Sequence, residues 1–206
     1  MKHVLVTGIS GFLGWNLCHF IPPGWHVHGL FHEHSLGFAQ SSLTLHALDL
    51  KDFSAISALW ALLQPDAVIH LAALAQPNYC QTHPEESYQL NVEVSVQLAQ
   101  QCAQTQIPYV FASTDLVFDG GHAPYHETNA PSPLSLYGQH KALAEERILS
   151  LYPQATICRL PLMFGHSPPH VQNFFSSFLN SMRAGQALRV FVDEFRTPTS
   201  AERAVG

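Results

Sequence analysis

The fold is decided by the stretch Thr7-Gly8-Ile9-Ser10-Gly11-Phe12-Leu13-Gly14. A short apolar run, His3–Thr7, precedes it, and a helical pattern over Phe12–Phe20 follows it. This order predicts a pyrophosphate-binding turn, because glycines let the backbone approach the anion and the first N–H groups of the helix point at it. The predicted cofactor-binding residues of the turn are Gly8, Ser10, Gly11, Phe12, Leu13 and Gly14.

The rest of the chain alternates between strand-like and helix-like segments. Further strands are predicted at Trp25–Phe31, Leu43–Leu48, Ala67–Ala72, Pro108–Ser113 and Thr156–Leu160. Further helices are predicted at Phe53–Leu63, Pro84–Thr105 and Ser135–Leu151, and a long loop at Asp119–Pro133. This alternation predicts a parallel sheet with helices on both faces. The expected fold class is therefore α/β, a doubly wound Rossmann fold that binds NAD(P).

The pattern changes after residue 164. We predict a Rossmann domain over residues 1–164 and a partial substrate-binding portion over residues 165–206. The latter is expected to contain an aromatic helix at Val171–Met182 and a short strand at Leu188–Val192. Ser200–Arg203 has the pattern of a helix start with no room to continue, which indicates a truncated substrate-binding portion.

Composition narrows the functional classes. The 206 residues have a net charge of −6 and only 9 Lys and Arg, without a basic run, so neither nucleic acid nor an anionic membrane is an expected partner. The four cysteines form no C-x-x-C pair, which suits a reducing compartment. The N-terminus lacks the pattern of a signal peptide, and the expected location is the cytoplasm.

The 14 histidines raise the question of a metal site. His26, His28, His32 and His34 are spaced by two residues in pairs, which would place each pair on one face of a strand. No cysteine or carboxylate cluster completes a ligand set. We therefore predict no metal site and interpret these residues as solvated or core histidines.

The end of the second predicted strand bears on the choice between NAD and NADP, since an acidic residue there binds the adenosine ribose. Phe31 stands at that position, followed by His32, Glu33 and His34. Glu33 can reach a 2′-hydroxyl, whereas the two imidazoles can tolerate a 2′-phosphate. The predicted cofactor is NADP or NAD, with NADPH slightly favoured.

Two further strand ends supply candidate cofactor contacts. Asp49, with Leu50 beside it, is placed to accept a hydrogen bond from an adenine amino group; a helix N-cap or turn aspartate is the alternative interpretation. Leu71, Ala72 and Ala73 follow His70 with small side chains that would let the backbone lie against the cofactor. A well-packed strand end would show the same pattern.

Tyr137 and Lys141 are four residues apart at the start of a predicted helix, so they share one face. An ammonium near a phenol lowers the phenol pKa from about 10 toward neutral, which would let Tyr137 exchange a proton at cellular pH. Lys141 can also bind the cofactor ribose. Thr114 ends the fifth predicted strand, where its hydroxyl can donate to a carbonyl oxygen.

Taken together, these motifs resemble the extended short-chain dehydrogenase/reductases, and among them the dTDP-4-dehydrorhamnose reductase family most. The resemblance covers most of residues 3–200. Besides the glycine turn, it is carried by His70–Ala73, Asn91, Ser113–Gly120, Tyr137 with Lys141, Arg159–Pro161 and Arg196–Thr199.

The resemblance implies reduction of a keto group on a nucleotide-linked sugar by NAD(P)H. It implies that Thr114, Tyr137 and Lys141 form the catalytic set and that Asn91 belongs to the cofactor-binding residues. Phe164 and Gly165 would border the substrate pocket. Leu116 departs from the family pattern, which commonly has tyrosine there.

Two alternatives stay open. The Ser113–Gly120 block also resembles the regulatory beta subunit of methionine adenosyltransferase, which binds a cofactor and a partner protein. The intact pair of Tyr137 and Lys141 argues mildly against a purely regulatory role. A sugar-nucleotide epimerase or dehydratase with a recycled cofactor would use the same fold. The substrate and the oligomeric state, including a homodimer, stay open as well.

Overall fold

The fold is built around one parallel sheet. The computed structural model describes residues 1–171, 173–190, 192–193 and 195–206. The sheet has the strand order β3-β2-β1-β4-β5-β6. Its strands are β1 (Lys2–Thr7), β2 (Trp25–Phe31), β3 (Leu43–Ala47), β4 (Ala67–His70), β5 (Tyr109–Thr114) and β6 (Thr156–Leu160). The order reverses between β1 and β4, which is the topology of the dinucleotide-binding fold and confirms the predicted fold class.

Helices cover both faces of this sheet. They are α1 (Phe12–Leu17), α2 (Phe53–Leu63), α3 (Pro77–Thr82), α4 (Pro84–Tyr88), α5 (Val94–Thr105) and α6 (Leu136–Leu151). Leu5 and Leu30 belong to a core with residues of α2, α5 and α6, while Val4 and Val6 belong to a second core on the side of α1. Alternate residues of a strand thus enter opposite cores, which explains why these strands are apolar throughout.

The predicted bounds agree with the structure for β2, α2 and β6 and differ elsewhere. β4 ends at His70 rather than at Ala72, and the Ala72 N–H donates to the side-chain hydroxyl of Thr7 instead of to a strand carbonyl. The predicted helix Pro84–Thr105 is divided into α4, a π-helical segment at Gln89–Glu93, and α5. The 3₁₀ turn Cys18–Phe20 extends α1 to the predicted end.

The C-terminal portion consists of short elements. They are β7 (Met163–Phe164), α7 (Phe174–Arg183), β8 (Thr199–Ser200) and α8 (Ala201–Val205). β7 pairs with β8 in parallel, which the sequence did not predict. A capping box at Asn173 starts α7 three residues after the predicted start. In the part of the chain that the structure describes, no helix is both long and apolar enough to cross a membrane.

The strand predicted at Leu188–Val192 is wrong for those of its residues that the structure describes. Leu188–Val190 form no strand, and Phe191 lies outside the described residues. Val190 and Val192 are 61% and 91% exposed. Apolar, β-branched residues made this segment look like a strand, but a strand needs a partner to satisfy its backbone, and no described strand pairs with it.

A row of histidines crosses β1, β2 and β3. Nδ1 of His3 lies 2.9 Å from Nε2 of His28, whose Nδ1 lies 3.2 Å from Nε2 of His46. The His26 ring lies 4.9 Å from that of His28. Burial, and then the neighbouring imidazoles, lower the pKa of His28 to about 4. His32 and His34 are not part of this row, so the two spaced pairs do not come together.

We expect this row to make the protein acid-sensitive. The unfolded state protonates His28 near its ordinary pKa of 6.5, above the folded value, so stability falls as the pH drops from 6.5 toward 4. Urea titrations should show His28→Gln losing about 2 kcal/mol less than the wild type between pH 6.5 and 4.5. His126→Gln, at an exposed position, should follow the wild type. An equal loss of unfolding free energy in all three proteins would show that His28 does not cause the acid sensitivity.

Candidate functional site

The glycine turn is packed too tightly for side chains. Gly8 has φ +67°, and a Cβ on it would lie 2.7 Å from the backbone nitrogen of Ala72. A Cβ on Gly14 would lie 2.4 Å from the carbonyl oxygen of Gly8. Positive φ and these close approaches both favour glycine. The turn therefore lies directly against the loop after β4, with the start of α1 beneath it.

A cleft of about 480 Å³ opens at the carboxyl ends of β1, β2 and β4. Nine of the predicted cofactor-binding residues line it: Gly8, Ser10, Gly11, His32, Asp49, Leu50, Leu71, Ala72 and Ala73. Phe12, Leu13 and Gly14 form the first turn of α1 and are not among its lining residues. The cleft lies where open α/β sheets bind their ligands.

Asp49 makes contacts within the protein on one side of the cleft. Its Oδ1 accepts a hydrogen bond from the Lys51 backbone N–H at 2.9 Å. Its Oδ2 lies 4.0 Å from Lys51 Nζ and 3.9 Å from His32 Nε2. Asp49 therefore closes a turn with one carboxylate oxygen and still lines the cleft. The same carboxylate can act as a turn residue and as an acceptor for an adenine amino group.

Asn91 anchors the loop after β4 through its side-chain amide. It is fully buried in the π-helical segment; its Oδ1 accepts from the Leu74 N–H at 3.0 Å and its Nδ2 donates to the Leu74 oxygen at 3.1 Å. Thr7 fixes the other end of the loop, since its hydroxyl accepts from the Ala72 N–H at 3.2 Å. Asn91 does not line the cleft, and in this arrangement it positions residues that do.

Removing the Asn91 amide should loosen this loop. Asn91→Ala leaves the N–H of Leu74 without its partner and the C=O of Leu74 with only the weak Cys80 thiol donor, which should cost about 1–3 kcal/mol of folding free energy. We also expect weaker dinucleotide binding, because Ala72 and Ala73 lose their fixed position. Urea denaturation and cofactor titration measure the two effects. Asn78→Ala, at an exposed position of α3, is the matched control and should change neither.

Thr114, Tyr137 and Lys141 are buried together at the end of β5 and the start of α6, outside the lining of the cleft. Thr114 lies close enough to Tyr137 to lower the pKa of that residue. The Thr114 hydroxyl donates to Asp115 Oδ1 at 3.3 Å and accepts from the Leu116 N–H at 3.2 Å. The Nζ of Lys141 lies 3.8 Å from the centre of the Phe111 ring. The structure thus brings the threonine to the tyrosine and places the lysine one turn further along the helix.

The expected lowering of the Tyr137 pKa is wrong. Burial, and then Cys80, raise that pKa to about 12, and the neighbouring Thr114 hydroxyl offsets only part of the rise. Burial also lowers the pKa of Lys141 to about 7, although Glu145 opposes this change. Sequence spacing indicated the pair but not the depth of its burial, and desolvation disfavours the charged form of each group.

A buried ion pair next to Thr114, Tyr137 and Lys141 was not predicted from the sequence. Glu145 is 3% exposed and accepts hydrogen bonds from Arg159 Nε at 3.0 Å and Nη2 at 2.7 Å. The Ser113 hydroxyl also donates to Glu145. Glu145 lies one helical turn after Lys141, so the two residues share a face of the helix. This four-residue spacing is the sequence feature that could have indicated Glu145. The pair ties α6 to the ends of β5 and β6.

A second missed contact connects the C-terminal portion to the site. Nε and Nη2 of Arg196 donate to the Asp115 carboxylate at 3.2 Å and 2.8 Å. The two residues are 81 positions apart, so no sequence pattern could pair them. Because Asp115 directly follows Thr114, this contact brings the segment before β8 to the end of β5.

Comparison with known proteins gives a family and several relatives. A family model described as RmlD substrate binding domain matches residues 1–205. Methionine adenosyltransferase 2 subunit beta of Bos taurus is 33% identical over 165 residues, covering 80% of this chain and 48% of the relative. The spore coat polysaccharide biosynthesis protein SpsK of Bacillus subtilis (strain 168) is 30% identical, covering 97% of this chain and 65% of the relative.

A solved structure agrees in fold. A hypothetical dTDP-4-dehydrorhamnose reductase from Sulfolobus tokodaii has a TM-score of 0.87 and 25% identity, covering all of this chain and 70% of that one. More distant structures of the same fold hold NADP in one case and NAD in others. The chain spans about half the length of the beta subunits it matches.

Proposed function

The chain belongs to the RmlD substrate binding domain family, and on that basis we propose that it reduces a keto group of a nucleotide-linked sugar with NAD(P)H. Membership confirms the resemblance that the motifs indicated. The observation that carries the proposal is the shared burial of Thr114, Tyr137 and Lys141 at the carboxyl edge of a sheet that also bears the glycine turn.

The cleft fits a dinucleotide. The turn at Gly8 and Gly14 has no room for side chains, and the N–H groups that begin α1 suit a diphosphate. Gly8, Ser10 and Gly11 would hold that group, while Ala72 and Ala73 would lie along the cofactor. A bound nicotinamide supplies the hydride, and we retain NADPH as the favoured form.

Tyr137 would supply the proton. Its raised pKa keeps the phenol protonated at neutral pH, which suits a group that gives a proton to a ketone oxygen as hydride arrives. The Thr114 hydroxyl, which donates to Asp115 in this structure, would turn to donate to the same ketone oxygen when the substrate binds. The pKa of Lys141, about 7, suits a group that exchanges protons at cellular pH and can restore the Tyr137 proton.

The substrate would bind between the two predicted parts of the chain, residues 1–164 and 165–206. Phe164 and Gly165 lie at the junction, and a Cβ on Gly165 would be 3.5 Å from that of Ala201. The Arg196–Asp115 contact closes the same region. We propose that this portion selects the sugar nucleotide, while the Rossmann part holds the cofactor.

Tyr137→Phe should separate catalysis from binding. We expect turnover of dTDP-4-dehydrorhamnose with NADPH to fall by about 10²–10⁴-fold, because the proposed proton donor is removed, while the cofactor Kd stays within about twofold. Absorbance at 340 nm reports turnover and fluorescence titration reports binding. Tyr88→Phe, which removes only a hydrogen bond from Arg147, is the control.

Unchanged turnover in Tyr137→Phe would remove the tyrosine from the mechanism. Stoichiometric loss of added NADPH also distinguishes reduction from epimerisation or dehydration, in which tightly retained cofactor is recycled without net consumption. Retained cofactor with no consumption would favour that alternative reaction.

A regulatory role is the second candidate, favoured by the 33% identity to a methionine adenosyltransferase beta subunit. Under our proposal, adding this protein to a methionine adenosyltransferase catalytic subunit changes neither the rate of S-adenosylmethionine formation nor its KM. Co-elution of the two proteins with a changed KM, unaffected by Tyr137→Phe, would instead support the regulatory role.

A further inference from the structure

Residues 166–171, called the strap here, cross the glycine turn from the C-terminal side. Asn16 of α1 donates a hydrogen bond to the His166 oxygen at 2.9 Å, which fixes one end. The Val171 N–H donates to the Pro168 oxygen at 2.9 Å, which closes the other end into a turn. Pro168 is buried, and two consecutive prolines restrict the backbone further. The strap is therefore a fixed part of the site.

The strap places His170 over the glycine turn. Its Nε2 lies 2.9 Å from the carbonyl oxygen of Ser10, 160 positions earlier in the chain. Since a carbonyl only accepts, Nε2 carries the hydrogen and Nδ1 is the atom that can take up a proton. The His170 ring lies 4.8 Å from that of His34, and both residues line the cleft.

The other basic groups of the cleft already face carboxylates. Lys51 Nζ lies 4.0 Å from Asp49 and 3.8 Å from Glu86. His32 lies 3.9 Å from Glu33 and from Asp49. In contrast, no carboxylate oxygen of the described residues lies within 4 Å of the His34 or His170 ring nitrogens. An incoming anion would therefore meet the least competition at these two imidazoles.

We propose that His34 and His170 together bind the 2′-phosphate of NADP(H). This inference rests on the proposed function and deepens it, since it names the groups that select the cofactor. His34 follows the end of β2, where the adenosine ribose is bound in this fold. Phe31 replaces the acid that would repel a phosphate there, and the nearby Glu33 faces His32 at 3.9 Å. The sequence paired His34 with His32; the geometry pairs it with His170, a residue of the C-terminal portion.

The test compares cofactors in His34→Gln, His170→Gln and the double variant by isothermal titration. Each single substitution should weaken NADPH binding about tenfold, because a hydrogen bond to a charged group is lost, and should leave NADH binding within about twofold. Adenosine 2′,5′-bisphosphate should weaken like NADPH, and ADP should behave like NADH. His166→Gln, an exposed strap residue, is the matched control. His170→Lys should restore part of the NADPH preference.

The outcomes are separable. A wild type that binds neither cofactor would overturn the proposed function and this inference with it. A wild type that binds both equally, or variants that lose NADPH and NADH to the same extent, would overturn the 2′-phosphate site alone. If His170→Gln does not fold, as judged by circular dichroism, the His34→Gln comparison decides in the same way.

Discussion

Gly8 lies so close to the loop after β4 that no side chain fits between them. This constraint places the phosphate-binding turn against Ala72, and the rest of the site is arranged around that contact. The Thr7 hydroxyl accepts from the Ala72 N–H and lies 2.6 Å from His70 Nδ1, while His70 Nε2 lies 2.9 Å from the Ser95 hydroxyl. A chain of buried hydrogen bonds thus connects the turn to α5 through the sheet.

Burial also governs protonation around the proposed reaction site. It lowers the pKa of His70 to about 3 and that of Lys141 to about 7, and it raises that of Tyr137 to about 12. In each case the interior disfavours the charged form. The buried Glu145 carboxylate has a partner of opposite charge in Arg159, whose Nη2 lies 2.7 Å away. The interior beside the proposed reaction site therefore favours a neutral phenol, which suits reduction.

Much of the framework could be predicted because it depends on short-range pattern. Strand β2 and helix α2 match their predicted bounds, and the glycine turn lies where its spacing indicated. The parts that could not be predicted depend on distant partners. Met163 pairs with Thr199, and Arg196 binds Asp115. Nothing in the sequence around His170 indicated that it would reach Ser10.

The site prediction divides in the same way. Nine predicted residues line the cleft, because strand ends in this topology converge at one edge. The direction of the Tyr137 pKa shift was wrong, since spacing along a helix says that two residues share a face but not how much water reaches them. Asn91 was selected as a cofactor contact, yet its amide is engaged with Leu74.

The π-helical segment that carries Asn91 sets a strict length for this part of the chain. A π turn accommodates one more residue than an α turn, so shortening the segment by one residue would restore regular geometry. Because the extra residue is accommodated within the π turn, α4 and α5 would keep their orientation, whereas Asn91 would lose the position from which its amide reaches Leu74. A deletion of one residue at Gln89–Glu93 would therefore release the loop after β4 while leaving the packing of α4 and α5 in place.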